Sequence, residues 1–175
     1  MNMGIITEYK SIGDKRNNIN DLIIINNKLE ELESNFDFVK NKIILNEDEL
    51  SQIFGIGYSV STLSNLRKNG RAISEYIQLS DKCRILYPLL NIVEQLTNIK
   101  LENHEMFYAK RIKEIIKYKQ TINANQISKM FNISPSTLKS YIDTGLFMTP
   151  NFQRKKWTID CVAKFIVENQ IKSAA

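Results

Sequence analysis

The chain has 175 residues, of which 43% are hydrophobic and 25% are charged, so it can form one medium-sized domain or two to three small ones. Only six glycines and three prolines are present, which argues against collagen-like, linker-like and turn-rich all-β architectures and favours a helical protein. The net charge is +5, but residues 1–57 hold six Lys or Arg against ten Asp or Glu, whereas residues 58–175 hold 18 against nine. Such segregation is typical either of contact with a polyanion or of a solvated, lysine-rich surface.

Several classes of protein are excluded by what the sequence lacks. No apolar run reaches the ~18 residues that span a bilayer, and the N-terminus lacks a signal-peptide pattern, so we expect a cytoplasmic protein without a membrane partner. Cys83, Cys161 and His104 are too few and too scattered to form a Cys/His zinc site. Neither a dinucleotide fingerprint nor a GxxxxGK loop occurs, and no catalytic dyad or triad can be nominated. We therefore expect no metal, no cofactor, no small-molecule substrate and no enzymatic activity.

The first regular pattern is an apolar stripe near the N-terminus. Its members recur with alternating spacings of three and four, which predicts a helix over 18–40. They are Leu22, Ile25, Leu29, Leu32, Phe36, Val39 and Ile43. A stripe of this length is buried either against the rest of the chain or against a second copy, and three heptads do not separate these alternatives. Residues 1–42 are thus interpreted as an N-terminal segment whose helix can form a homodimer.

Residues 43–70 predict a short strand followed by two helices. The strand covers 43–45, and Asn46 caps a helix that ends near Gly55, with acidic residues in its first turn. Ser59 caps the second helix, which ends at 69–70. Its apolar positions recur every three residues and are expected to face inward: Val60, Leu63 and Leu66.

A hairpin and a closing helix complete this first unit. Alternating residues over 76–79 and 82–87 predict two strands joined by a turn at 80–81. Pro88 then opens a helix that continues to Leu96. The first unit therefore spans 43–97.

The same order of elements recurs later in the chain. The segment 61–63 (STL) and Gly70 recur 75 positions later as 136–138 and Gly145, and 87–96 aligns with 157–166 at an offset of 70. The second copy has a shorter hairpin, over 146–156, and its second helix is capped by Ser134. We interpret the chain as an internal duplication, with a second unit at 121–175 and a basic connecting helix within 98–120.

This order resembles the winged helix-turn-helix of excisionase-like proteins, which are related to the MerR DNA-binding domain. The resemblance depends on LSQIFGI at 50–56, SVSTL at 59–63, LRKNG at 66–70 and KCRILYP at 82–88. It covers each repeat but not residues 1–42, and the two extra residues at 57–58 depart from the usual tight turn. It implies a mainly α fold, with tandem winged helix-turn-helix domains, short β-hairpin wings, an N-terminal helix and a helical linker. It also implies that double-stranded DNA is bound by the second helix in the major groove and by the wing.

Helical spacing and side-chain chemistry indicate which residues contact DNA. Short polar side chains on the second helix suit base edges, and flanking Lys and Arg suit phosphates. In the first unit the predicted DNA-binding residues are Tyr58, Ser61, Thr62, Ser64, Asn65, Arg67, Lys68, Arg71, Lys82 and Arg84. In the second unit they are Ser136, Thr137, Lys139, Ser140, Arg154, Lys155 and Lys156. Ile142 and Asp143 replace Arg67 and Lys68 there, so the first unit is the better candidate for reading sequence.

The sequence leaves three functions open. The first is a sequence-specific regulator or excisionase-like architectural factor of a mobile element, phage or plasmid. The second is a DNA-packaging or segregation component, such as a small terminase or partition adaptor, in which the N-terminal helix builds an oligomer. The third is a protein-interaction module that has kept the fold and lost DNA binding.

Overall fold

The computed structural model describes the backbone of residues 3–153 and 155–171, and the side chains from residue 19 onward within those ranges. This part of the chain is mainly helical, with three small antiparallel sheets of two strands each. The helices are α1 (Met3–Asn35), α2 (Glu47–Phe54), α3 (Val60–Lys68), α4 (Leu89–Thr97), α5 (His104–Ile115), α6 (Ala124–Met130), α7 (Pro135–Asp143) and α8 (Ile159–Glu168). The strands are β1 (Ile44–Leu45), β2 (Tyr76–Ile77), β3 (Tyr87–Pro88), β4 (Thr121–Ile122), β5 (Trp157–Thr158) and β6 (Gln170–Ile171).

The N-terminal helix begins earlier and ends earlier than the helix predicted over 18–40. Phe36 adopts an extended backbone, with φ −136° and ψ 104°, which ends α1 at Asn35, and the 3₁₀ turn Asp37–Val39 follows. α1 packs on α4 of the same chain. The buried members of the predicted stripe are Ile25, Leu29, Leu32, Val39 and Ile43. Most of the stripe is therefore covered by the chain itself.

Two segments of the chain share one order of elements, a strand, two helices, a strand and a helix, to which the first segment adds β2 before β3. β1 pairs with β3, with Leu45 opposite Tyr87, and β4 pairs with β5, with Ile122 opposite Trp157. All four of these residues are buried. In each segment, the strand before the helix pair is thereby joined to the strand that leads into the closing helix.

The hairpin predicted over 76–79 and 82–87 is confirmed only in part. Its two arms are joined by one antiparallel bridge, in which Ile77 and Leu86 each donate to the other's carbonyl. On its other side β2 pairs with β6, with Tyr76 opposite Ile171, while Tyr87 is held in β3 by β1. The residues at 78–85 form a turn-rich loop between these two sheets, in which Cys83 N donates to Ser80 O at 2.9 Å.

The predicted connecting helix is part of the core. α5 packs chiefly on α8, and its Phe107, Tyr108 and Ile112 are buried in a hydrophobic cluster shared by both segments. α5 lies within the predicted range 98–120 and ends at Ile115, and Lys117 and Tyr118 follow with positive φ. The two segments therefore pack as one body in the described part of the chain.

Arg111 of α5 ties the N-terminal segment to this core. Its Nε donates to the carbonyl of Lys42 at 2.7 Å, and its Nη2 donates to the carbonyl of Val39 at 3.0 Å. Its Nη1 lies 2.8 Å from a carboxylate oxygen of Glu33 on α1. A buried guanidinium is stable here because all these partners compensate for its lost hydration.

Candidate nucleic-acid interface

The first helix pair is fixed by its caps and by glycine. Asn46 Oδ1 accepts from Glu49 N at 2.8 Å, and the Glu49 carboxylate reaches back to Asn46 N, which forms a capping box. Gly55 (φ 75°) and Gly57 (φ 92°) carry the chain between the helices in a conformation that disfavours side chains. Ser59 Oγ then accepts from Thr62 N at 3.2 Å. The predicted caps of both helices are confirmed.

One face of α3 presents polar side chains to solvent. Ser61, Asn65 and Lys68 are exposed, and their spacing of four and three places them on one stripe. Leu63 is buried on the opposite side. The amide of Asn65 is therefore available to a base edge, as the sequence predicted.

Other predicted positions on α3 are less accessible. Thr62 and Ser64 are half-buried rather than fully exposed. The Thr62 hydroxyl lies 2.9 Å from Ser59 Oγ. Val60 was expected to face inward but is 38% exposed, because it begins the helix next to the glycine turn. Leu66 is half-buried. Tyr58 in this turn is partly exposed, with its ring centroid 5.6 Å from that of Phe54.

Arg67 does not lie on the solvent-facing side of α3. Its Nη2 is 3.1 Å from Glu47 Oε1, and its guanidinium lies 5.8 Å from the ring centroid of Tyr76. Tyr87 Oη donates to the same Glu47 oxygen at 3.1 Å. Burial opposes the charge of Arg67, but Glu47 more than offsets it and the pKa of Arg67 is raised. Arg67, which was predicted to contact phosphate, instead forms an internal ion pair with Glu47. Through Glu47 and Tyr87 this pair joins α2, α3 and β3.

Burial, together with the Glu47 carboxylate, also raises the pKa of Tyr87 well above its usual value. The tyrosine therefore stays protonated and remains a donor over the whole physiological range.

The predicted first wing, which the structure forms as the loop 78–85 between β2 and β3, has basic side chains exposed to solvent. Lys82 and Arg84 in the 78–85 loop are exposed, as is Arg71 just after α3. In the described residues none of the three forms an ion pair. These three side chains are therefore accessible to a partner in solution.

The second helix pair repeats the construction of the first. Asn123 forms a capping box with Gln126, and Asn132 turns the chain after α6 with φ 58°. Ser134 caps α7, as predicted, and accepts from Thr137 N at 3.1 Å, and Pro135 occupies the first turn.

On α7 the exposed residues before Asp143 are again small or basic. Ser136, Lys139 and Ser140 are exposed, whereas Thr137 is half-buried with its hydroxyl 2.7 Å from Ser134 Oγ. Leu138 is buried, as predicted.

The second wing is a tight turn rather than a hairpin of two strands. One bridge joins Phe152 to Lys156, and Lys155 has φ 63° at the tip. Lys155 and Lys156 are exposed. Arg154, the third predicted residue here, lies outside the described residues.

The first wing contacts the second helix pair. Tyr141 on α7 interacts with the Cys83 side chain and the backbone of Arg84, and burial and Cys83 together raise the pKa of Tyr141. No local sequence pattern links α7 to residues 83–84, so sequence analysis could not predict this contact. The backbone of Arg84 therefore lies next to α7, while its side chain is exposed.

No protein-family model, curated protein or solved structure that was compared with this chain matches it. None of the described helices is long and apolar enough to cross a membrane. The features of this chain that bear on its function are therefore the two capped helix pairs and their exposed residues.

Proposed function

We propose that the chain is a sequence-specific, non-enzymatic double-stranded DNA-binding protein of the cytoplasm, built from tandem winged helix-turn-helix units that resemble excisionase-like and MerR-like domains. One observation carries the proposal: each segment places a serine-capped second helix with an exposed polar face beside a loop with exposed lysine or arginine. Polar side chains on such a helix suit base edges in the major groove, and nearby cations suit phosphates. The proposed role is transcriptional regulation or DNA architecture in a mobile element, phage or plasmid.

The two units have different proposed roles. α3 carries Asn65, whose amide suits the adjacent donor and acceptor of adenine. α7 lacks an exposed amide and ends in exposed Asp143, which disfavours a phosphate-lined groove at that end. We infer that the first unit reads sequence, whereas the second adds backbone affinity through Lys139 and Lys155.

A homodimer through α1 belongs to this proposal. Beyond the buried part of its stripe, Ile19, Leu22, Ile23 and Ile24 are between 40% and 58% exposed. Leu22 also lines an open groove of about 510 Å³ between α1 and α5, together with Met106, which is 67% exposed. Exposed apolar side chains on one helix gain free energy when a partner covers them. Sedimentation of the full chain should show a dimer, and Ile23→Lys should shift it to a folded monomer whose melting temperature no longer depends on protein concentration.

The experiment for the main proposal is selection from randomised DNA duplexes at about physiological salt, with the mass of the complex recorded. An enriched motif supports a sequence reader, and paired half-sites support a dimer. Retention of duplexes without enrichment, in a large oligomer, favours the packaging or segregation component, an alternative that the exposed face of α1 supports. No retention would favour the protein-interaction module and contradict DNA binding.

A further inference from the structure

Contacts between distant residues fix the first helix pair to the second. Ile43 N donates to the carbonyl of Met130 at 3.1 Å, which joins the residue before β1 to the end of α6. Asn132 Nδ2, in the turn before α7, donates to the Glu49 carboxylate in the first turn of α2. The two helix pairs are therefore held together by direct contacts as well as by the chain that links them.

A second set of contacts joins the two segments near α4 and α8. Ile77 of β2 lies opposite Gln170 of β6, the strand that follows α8. The Gln170 side chain accepts from Asn91 Nδ2 of α4 at 3.0 Å. Two bodies that are joined at two separate places cannot turn freely about either of them. The fold therefore sets the position of α3 relative to α7.

The loop 78–85 runs from the end of α3 to α7. Tyr76, just before this loop, lies with its ring centroid 5.8 Å from the guanidinium of Arg67 at the end of α3. Further along the loop, the Cys83 side chain and the backbone of Arg84 contact Tyr141 of α7. A loop that belongs to the first segment is therefore placed between the second helices of both segments.

The loop brings cations to an end of α7 that has none of its own. The last turn of α3 contains two basic residues, whereas the last turn of α7 contains none and ends in exposed Asp143. In the loop, Lys82 and Arg84 are exposed, as is Asp81. With exposed Lys139 on α7, the positive charges at this junction outnumber the negative ones.

We propose that the loop 78–85 acts with α7, and that both units thereby bind one DNA duplex together. In this arrangement Arg84 contacts phosphates next to those of Lys139, while Asn65 of α3 contacts a base of the same duplex. Because the fold fixes α3 relative to α7, these phosphates lie at one constant distance from that base. Binding by the second unit then requires no ordering of a flexible linker, which favours it. The inference rests on the proposed function, which supplies the duplex.

The first test maps the phosphates that each cation contacts, with the full chain and a duplex that carries the selected motif. Single phosphates are ethylated, and bound duplexes are separated from free ones. A phosphate whose ethylation no longer weakens binding in a variant is the one that the replaced side chain contacts. The phosphates identified in this way for Arg84→Gln should adjoin those identified for Lys139→Gln.

The second test shortens the duplex until those phosphates are missing. On the intact duplex, Arg84→Gln and Lys139→Gln should each lower the salt slope by about 0.9. On the shortened duplex, both variants should bind as the unchanged chain does. Arg71→Gln is the matched control, because it removes an exposed cation that follows α3, and it should lower the slope equally on both duplexes.

Tyr141 is a positioning residue in this proposal, because it acts through the loop. Tyr141→Phe removes the hydroxyl that contacts residues 83–84. Amide hydrogen exchange at 83–85 should become faster in the DNA-free chain, and ethylation at the phosphates of Arg84 should weaken binding less. Tyr118→Phe, which changes a 76% exposed ring, should alter neither measurement. Unchanged exchange in Tyr141→Phe would show that α7 does not hold the loop, and it would overturn the proposal.

The inference and the proposed function fail in different ways. If the phosphates of Arg84 lie apart from those of Lys139, or if Arg84→Gln still lowers the slope on the shortened duplex, the inference is overturned and the proposed function stands. A chain that retains no duplex, or that selects no motif, contradicts the proposed function and overturns both.

Discussion

Arg67 Nη2 lies 3.1 Å from Glu47 Oε1, so a guanidinium at the end of the proposed recognition helix faces the protein. Glu47 also accepts from Tyr87 Oη, which means that one carboxylate joins the start of α2, the end of α3 and β3. The orientation of α3 relative to its own wing therefore depends on an ion pair between residues 20 positions apart.

Arg67→Met should lower stability and leave the phosphate contacts intact. The substitution strands a partly buried carboxylate, with an expected cost of about 1–3 kcal/mol. Thermal unfolding measures this cost, and the salt slope of duplex binding, taken well below the melting temperature, should not change. Arg71→Met, at an exposed site nearby, should give the reverse pattern. A reduced salt slope with an unchanged melting temperature for Arg67→Met would show that Arg67 leaves Glu47 to contact DNA.

Asn65→Ala and Arg84→Ala should affect DNA binding differently. Loss of the amide should relax base preference at one position, at a cost of about 1–3 kcal/mol. Loss of the wing cation should weaken binding to all duplexes alike and lower the salt slope by about 0.9. Competition binding with selected and scrambled duplexes distinguishes the two effects. Equal losses on both duplexes for Asn65→Ala would refute its role as a base reader.

Arg111→Met should destabilise the whole chain. The carbonyls of Val39 and Lys42 would lose their donors, and the N-terminal segment would lose its tie to α5. We expect a loss of about 2–4 kcal/mol in the free energy of unfolding, measured with urea. Lys110→Met, one residue earlier and exposed, should cost less than about 0.5 kcal/mol. Similar losses in both variants would show that these hydrogen bonds contribute little.

Alkaline pH should unfold the protein. Burial raises the pKa of Tyr87 and Tyr108 above the ordinary value of 10.0. Because the folded-state pKa is the higher one, their contribution to stability is complete below about pH 10 and is lost as the pH rises further, where only the unfolded chain ionises. Urea midpoints over a pH series, with tyrosinate absorbance, measure the loss. Tyr118→Phe, which removes a 76% exposed ring, should leave the pH dependence unchanged.

The local features of the fold could be predicted from sequence. The caps at Asn46, Ser59 and Ser134 act within three residues along the chain, and Leu63 and Leu138 follow helical spacing, so short-range patterns identify them. The exposed stripe of Asn65 on α3 follows from the same period. The sequence thus predicted the caps, the buried leucines and the exposure of Asn65, and the role of these residues in DNA binding stays a prediction.

The remaining features depend on contacts between distant residues. Arg67 and Arg84 are both basic residues among polar ones, yet Glu47 forms an ion pair only with Arg67. Arg111 resembles its lysine neighbours on α5, but its backbone partners are 69 and 72 positions away. Composition and periodicity contain no information about such partners, because they describe one element at a time.

The pairing of β2 with β6 also constrains the order in which parts of the protein can fold during synthesis. Tyr76 and Ile77 emerge from the ribosome long before Gln170 and Ile171, their partners. During synthesis the inner edge of the first wing therefore stays open, and an open strand edge is a site for wrong pairing. A chain shortened before residue 170 would keep this edge open permanently. The first wing, although encoded by residues 76–88, is completed only after Gln170 and Ile171 have been synthesised.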